Sequence, residues 1–265
     1  MAAVDLSIIA PARDEQANIA GLVDDVDRAL AGAGRRFEMM VVDDGSTDGT
    51  RAEIEAAMAR HPWVRGLALE RAADGSSNGQ SAAFRAGIVA TRGQLVVMMD
   101  ADRQNDPGDI PAMLAVLGDR GVDVVQGDRT ANRRDRRTKR IASGVGRLFC
   151  RVVLGDTTRD TGCSLRVLRR EVALRLPLQY RGMHRFVPYY ARLLGYEVVE
   201  VPVRHRARTA GRTHYGIRNR ALPGLRDLLT VRWMRSRLCD PRAEPIATST
   251  PARELRAAES ETVAR

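Results

Sequence analysis

Through its first 126 residues the chain alternates short apolar runs with stretches whose apolar residues recur every three or four positions. The runs "DLSIIA" (5–10), "FEMMVV" (37–42), "VRGLAL" (64–69), "QLVVMM" (94–99) and "VDVVQG" (122–127) are strand length. Between them, residues 16–31, 48–60, 79–91 and 107–118 carry the helical period. Strand and helix in alternation predict right-handed crossovers and a mostly parallel sheet covered on both faces. After residue 127 the rhythm changes. A basic segment "RTANRRDRRTKR" (129–140) leads to a helix expected near 138–154, a compact "RDTGCSLRVLRR" (159–170), a helix "HRFVPYYARLLG" (184–195) and a strand "EVVEVPV" (197–203). Residues 216–240 mix arginines with Leu222, Leu225, Leu228, Leu229, Val231, Trp233, Met234 and Leu238, the pattern of basic amphipathic helices. Residues 241–265 are polar and without period, so a disordered tail is expected there.

The chemistry collects where apolar runs stop. In "LVVMMDADRQNDPGDIP" (95–111) a buried-strand pattern ends on Asp100, Asp102, Asp106 and Asp109. In open α/β sheets ligands bind just outside the carboxyl ends of the strands. Asp100 and Asp102 flank Ala101, and two carboxylates so spaced can approach one hard cation, which suits Mg²⁺ or Mn²⁺. A second acidic strand end, "VVDDGSTDGT" (41–50), presents Asp43, Asp44 and Asp48. Asp48 reads as a helix cap, whereas Asp43 or Asp44 is placed to hydrogen-bond a base or ribose as readily as to shape a turn.

Charge divides the chain. Residues 1–119 hold 11 Arg and 19 Asp+Glu, while residues 120–240 hold 28 Lys+Arg and 10 Asp+Glu. The second part therefore calls for an anionic partner: phosphorylated substrates, an anionic membrane surface or nucleic acid. Only 4% of residues are aromatic, too few for a base-stacking platform, and bare acidic strand ends repel phosphates, so nucleic acid is the weakest of the three. No apolar run approaches the ~20 residues that span a bilayer. The sequence reads as neither exported nor membrane-spanning. Cys150, Cys163 and Cys239 are far apart and without CxxC spacing, as expected of reduced thiols.

The motifs "APARDEQANI" (10–19), "VVDDGSTDGT" (41–50), "NGQSAAFRAG" (78–87) and "MDADRQNDP" (99–107), in this order, resemble family 2 glycosyltransferases of the GT-A fold. The later segments "GDR" (127–129), "RDTGCSLRVLRR" and "HRFVPYYARLLGYEVVEVPVRHRARTAGRTHYG" (184–216) are similar to the branch with dolichyl-phosphate mannosyltransferase and bacterial polyprenyl-phosphate glycosyltransferases. The resemblance implies a GT-A domain over residues 1–215, with a nucleotide-sugar half (1–127) and an acceptor half (128–215). It implies that Pro11, Ala12, Asp14, Glu15 and Asp43 hold base and ribose, that Gln80 and Ala101 line the nucleotide pocket, and that Asp100, Asp102 and Gln104 hold metal and diphosphate. Two positions depart from the pattern. Asp14 stands where the family usually has Asn, and "GRTHYG" puts His214 where the branch has a phosphate-binding Lys.

Guanidinium forks bind phosphates without losing charge. Arg129, Arg206 and Arg208, with Arg140 and Arg185 behind them, are the candidates for diphosphate and acceptor phosphate. Asp160 is expected in the active site, as a general base for a hydroxyl acceptor or as an orienting group for a phosphate, which is already anionic. The implied reaction is inverting transfer of a sugar from a UDP- or GDP-sugar to a polyprenyl phosphate on the cytosolic membrane face. The chain would attach peripherally, through residues 216–240 or through a small membrane-protein partner. The alternatives are a GT-A enzyme acting on a saccharide or lipid hydroxyl and, from another class, a nucleic-acid-binding protein.

Overall fold

The computed structural model describes residues 4–72, 74–130, 147–207 and 218–239. Its centre is a seven-stranded sheet: β1 (Leu6–Ala12), β2 (Phe37–Asp43), β3 (Val64–Ala68), β4 (Leu95–Met98), β5 (Val124–Asp128), β6 (Arg166–Arg169) and β7 (Val198–Pro202). They lie in the order β3-β2-β1-β4-β6-β5-β7. β1 pairs in parallel with β2 on one side and β4 on the other, and β5 pairs in parallel with β7. β6 runs antiparallel between β4 and β5, so it alone opposes the common direction. This is the mostly parallel, helix-flanked α/β architecture expected.

Alternate strand residues feed two apolar layers, which is why the strands read as continuous hydrophobic runs. Leu6, Ile8, Met39, Val41 and Val97 face one layer, covered by α1 (Gln16–Leu30), α2 (Thr50–Arg60) and α4 (Ile110–Arg120). Ile9, Met40, Val42, Val96 and Met98 face the other. There they meet α3 (Gln80–Ala90), α5 (Arg170–Arg175), α6 (Val187–Leu193) and, through Leu228 and Val231, α7 (Arg218–Arg237).

The structure differs from the sequence reading in two places. The compact segment 159–170 contains β6, inserted in the middle of the sheet. Arginines at both ends of "RVLR" hid it, because a charged residue normally rules out a central strand, yet Arg166 is 1% exposed. The helices expected over 216–240 are one helix, Arg218–Arg237. Residues 147–154 are helical, and the remainder of the helix expected from 138, like the expected tail, lies outside the described residues.

Candidate active site

The topology puts three acidic strand ends on one edge. The register pairs Ala12 with Asp43 and Ile9 with Met98, so the residues after β1, β2 and β4 emerge side by side. The crevice between β1 and β4, where the strand order reverses, is the switch point at which open sheets bind ligands.

The β1–β2 side is tied together by its own polar groups. Asp14 sits at φ +53°, a left-handed conformation that Asn and Asp tolerate better than other residues, so Asp in place of Asn keeps the turn. Its Oδ1 accepts hydrogen bonds from the Thr47 amide (2.7 Å) and hydroxyl (3.1 Å), while its amide donates to Ser46 Oγ (3.0 Å). The Thr47 bonds hold the Asp14 carboxyl below its usual range, against the opposing effect of burial. Asp43 Oδ1 accepts from the Ser46 amide at 2.9 Å. The Glu15 amide donates to Thr50 Oγ1 (2.8 Å), and its carboxylate accepts from Asn18 Nδ2. Pro11 and Ala12 end β1, and the Ala12 carbonyl accepts from the Asp44 amide at 3.0 Å.

Asp44 and Asp48 shape the loops. Asp44 takes the amides of Asn78 (2.9 Å) and Gly79 (2.7 Å), fixing the loop that enters α3. Gly79 meets this demand at φ +92°, open to glycine and strained for other residues. The N-cap position of α2 is Gly49, not the Asp48 expected; Asp48 sits one residue earlier and accepts from the Thr50 amide at 3.0 Å, closing the turn into the helix.

At the end of β4, Gln80 Nε2 from the start of α3 donates to Asp100 Oδ1. The Asp100 amide donates to Asn105 Oδ1 (3.1 Å), which also accepts from Ser164 Oγ (2.8 Å). Asn105 thereby links the turn after β4 to the segment entering β6. Asp102 Oδ1 accepts from the Gln104 amide at 3.1 Å across the left-handed Arg103, and Ala101 between the two aspartates is buried. Burial first, and then the charge of Asp102, push the Asp100 carboxyl above its usual range, with Ser164, Arg129 and Arg166 opposing. Two crowded carboxylates of this kind are what a hard divalent cation relieves. No group of three His, Cys, Asp or Glu fit to hold a metal occurs among the described residues. Further ligands at Asp100 and Asp102 would thus be other oxygens, such as Gln104, water or a ligand's phosphates.

Across the crevice Arg129 follows β5. Its Nε and Nη2 fork onto Asp160 Oδ2 (2.8 Å) and Oδ1 (3.0 Å), and its amide also donates to Oδ2 (3.2 Å). Burial works against the Arg129 charge, but the bonds and charge of Asp160 outweigh it and raise its pKa. Arg206 sits in a bridge to Asp25 (2.8 Å) and Asp106 (2.7 Å), which fastens the strap after β7 beside the Asp102 turn. Arg185 pairs with Asp227 of α7. Arg140, Arg208 and His214 lie outside the described residues.

Sequence reasoning missed several residues here. Arg166 is fully buried, with Nε donating to Gln126 Oε1 at 2.6 Å and Nη1 unpartnered among the described residues. Gln126 Nε2 in turn donates to the carbonyls of Gly127, Cys163 and Asp160, so a buried polar chain runs from Arg166 to the Arg129–Asp160 pair. His184 Nδ1 lies 2.9 Å from Ser81 Oγ, and burial, followed by Arg185 and Arg166, pushes its pKa down to about 3. The available signal was placement: these residues sit inside apolar or motif segments where unpaired polar groups are costly.

Residues 7–176 match the family description "Glycosyl transferase family 2". The chain belongs to glycosyl transferase family 2. A dodecaprenyl-phosphate galacturonate synthase of Rhizobium johnstonii is 34% identical over 230 residues, covering 86% of this chain and 66% of its own length. An undecaprenyl-phosphate 4-deoxy-4-formamido-L-arabinose transferase of Klebsiella pneumoniae is 34% identical over 211 residues, covering 79% and 62%. The chain thus spans less than two thirds of the length of either relative. Glucosyl-3-phosphoglycerate synthase of Mycobacterium tuberculosis, solved with Mn²⁺, UDP and glucosyl-3-phosphoglycerate, superposes at a TM-score of 0.65, with 22% identity over 89% of this chain and 81% of that one. For this family 2 chain that likeness carries the fold, which is GT-A.

Proposed function

We propose that the chain is a metal-dependent, inverting glycosyltransferase that moves a sugar from a nucleotide diphosphate to a polyprenyl phosphate. The observation that carries this reading is the pairing of Asp100 and Asp102 at the switch point with a buried Arg129–Asp160 fork across from them. Both 34%-identical relatives are named for transfer to polyprenyl phosphates, which supports the acceptor class. The nucleic-acid rival has no such support.

In this reading Asp43, Asp14 and Glu15 with Pro11 and Ala12 line the base and ribose pocket, and Gln80 and Asp100 border the diphosphate. Asp100, Asp102 and Gln104 would hold Mg²⁺ or Mn²⁺, which neutralises charge on a diphosphate leaving group. An acceptor phosphate oxygen, already anionic, attacks the anomeric carbon. The bond from that carbon to the diphosphate breaks, and the configuration inverts. No proton need be removed, which fits an Asp160 committed to Arg129. Arg129 presents its fixed charge to the acceptor phosphate, and Arg206 holds the strap after β7.

Membrane attachment rests on α7. Leu228 and Val231 pack inward, while Leu225 (45%), Leu229 (55%) and Trp233 (62%) form an outward stripe four residues apart. The helix at 147–154 adds exposed Leu148, Phe149 and Val152. Arg232 and Arg235 tie the two helices by donating to the carbonyls of Val153 and Leu154, both at 2.9 Å. Apolar side chains among arginines suit the interface of an anionic bilayer, on the inner face in this reading. No helix among the described residues is long and apolar enough to cross a membrane.

Nucleotide release tests the reading: it should require both the divalent cation and polyprenyl phosphate. Release that depends instead on a saccharide acceptor would overturn the acceptor class.

A further inference from the structure

We propose that Asp227 of α7 is a positioning residue for the nucleotide site, acting through Arg185 and the turn Met183–Phe186. The inference rests on the functional reading above only for the ligand of that site.

Asp227 is the single acidic residue in a helix with six arginines. Its carboxylate points back at the protein. Asp227 Oδ2 accepts from Arg185 Nη1 at 3.2 Å, and an added Cβ at Gly182 would lie 2.7 Å from Asp227 Cγ. Gly182, at φ +83°, therefore both turns the chain and leaves room for the carboxylate against the backbone. Met183 and Phe186 of the turn are buried in the same apolar layer as Leu228 and Val231 of α7.

The other side of this turn holds the loop before α3. Arg181 Nη2 donates to Ser76 Oγ (3.2 Å) and to the Ser77 carbonyl (2.9 Å). The His184 amide donates to Ser81 Oγ at 3.0 Å, and its ring meets the same hydroxyl. Between those anchors lie Asn78 and Gly79, bonded to Asp44, and Gln80, bonded to Asp100. The path from Asp227 to the acidic strand ends alternates hydrogen bonds or ion pairs with single steps of backbone, from Arg185 to His184 and from Ser81 to Gln80. Releasing Arg185 loosens the turn, and the turn holds the loop that carries Gln80.

The test uses the full chain as wild type, D227N, D227E, R185Q and the double variant D227N/R185Q. Two quantities are read: hydrogen exchange of the amides of residues 76–81 without ligand, and affinity for UDP and GDP with Mn²⁺ by calorimetry. D227N and R185Q should each speed exchange at Asn78 and Gly79 and weaken nucleotide binding roughly fivefold. The double variant should be no worse than the poorer single, because both remove one interaction, and D227E should stay close to wild type. Unchanged exchange in D227N, or losses that add in the double variant, would overturn the proposal. Wild-type protein that binds neither nucleotide would sink the functional reading, and the exchange data would still decide the tether.

Discussion

Arg129 grips Asp160 with both arms of its guanidinium, at 2.8 and 3.0 Å, and each partner is nearly inaccessible to solvent. A carboxylate in such a fork is a poor base, because removing its charge strands a buried cation. Asp160→Asn should therefore cost about 3–5 kcal/mol of stability, the usual penalty for breaking a buried pair from one side. D160N with R129Q should recover part of that loss, read by urea unfolding. A D160N protein of unchanged stability that loses only an acid limb of its pH–rate profile would identify Asp160 as a base instead.

Asp102 is only half-buried and makes a local bond to the Gln104 amide, so its substitution should spare the fold. Asp102→Asn should lower turnover by more than about a hundredfold, since charge stabilisation at a metal-assisted leaving group amounts to several kcal/mol. Chelation should do the same to wild type and be reversed by Mn²⁺ or Mg²⁺. Near-normal turnover in D102N would remove the metal from the account.

Arg166 bridges β6 to Gln126 inside the sheet, and its loss leaves Gln126 Oε1 buried without that donor. Arg166→Ala should destabilise the protein by about 1–3 kcal/mol from the orphaned acceptor, with a cavity cost added. The unfolding midpoint in urea measures this, and a shift toward higher urea would contradict it.

His184 gives a pH signature with a definite sign. Its folded pKa is about 3 against 6.5 for the free side chain, so between these values the unfolded chain binds the extra proton. The stability contributed by neutral His184 is full above 6.5 and drains away as pH falls toward 3. Urea midpoints across that window should fall with acidity less steeply in H184Q than in wild type. Parallel curves would mean that His184 titrates normally.

The parallel half of the fold was legible because strands buried on both faces write themselves as unbroken apolar runs, and the acidic strand ends followed from their stops. β6 was not legible. Its "RVLR" hides a fully buried arginine bonded to Gln126, forty residues earlier, a pairing no local pattern announces. Asp100 and Asp102 stood out by spacing, whereas Asn105, Gln126 and Ser164 did not, because they act through contacts made across strands. The two faces of α7 were equally hidden. Apolar residues on both sides blur its period until the structure separates Leu228 and Val231 from Leu225, Leu229 and Trp233.

The most direct test of the central claim is the mass of the lipid product. The protein is incubated with Mn²⁺, a panel of UDP- and GDP-sugars and a polyprenyl phosphate, and the extracted lipid is weighed by mass spectrometry. One donor should add a single sugar residue to the phosphate, with no product from D102N. Sugar found only on hydroxyl acceptors, with the polyprenyl phosphate unchanged, would contradict it.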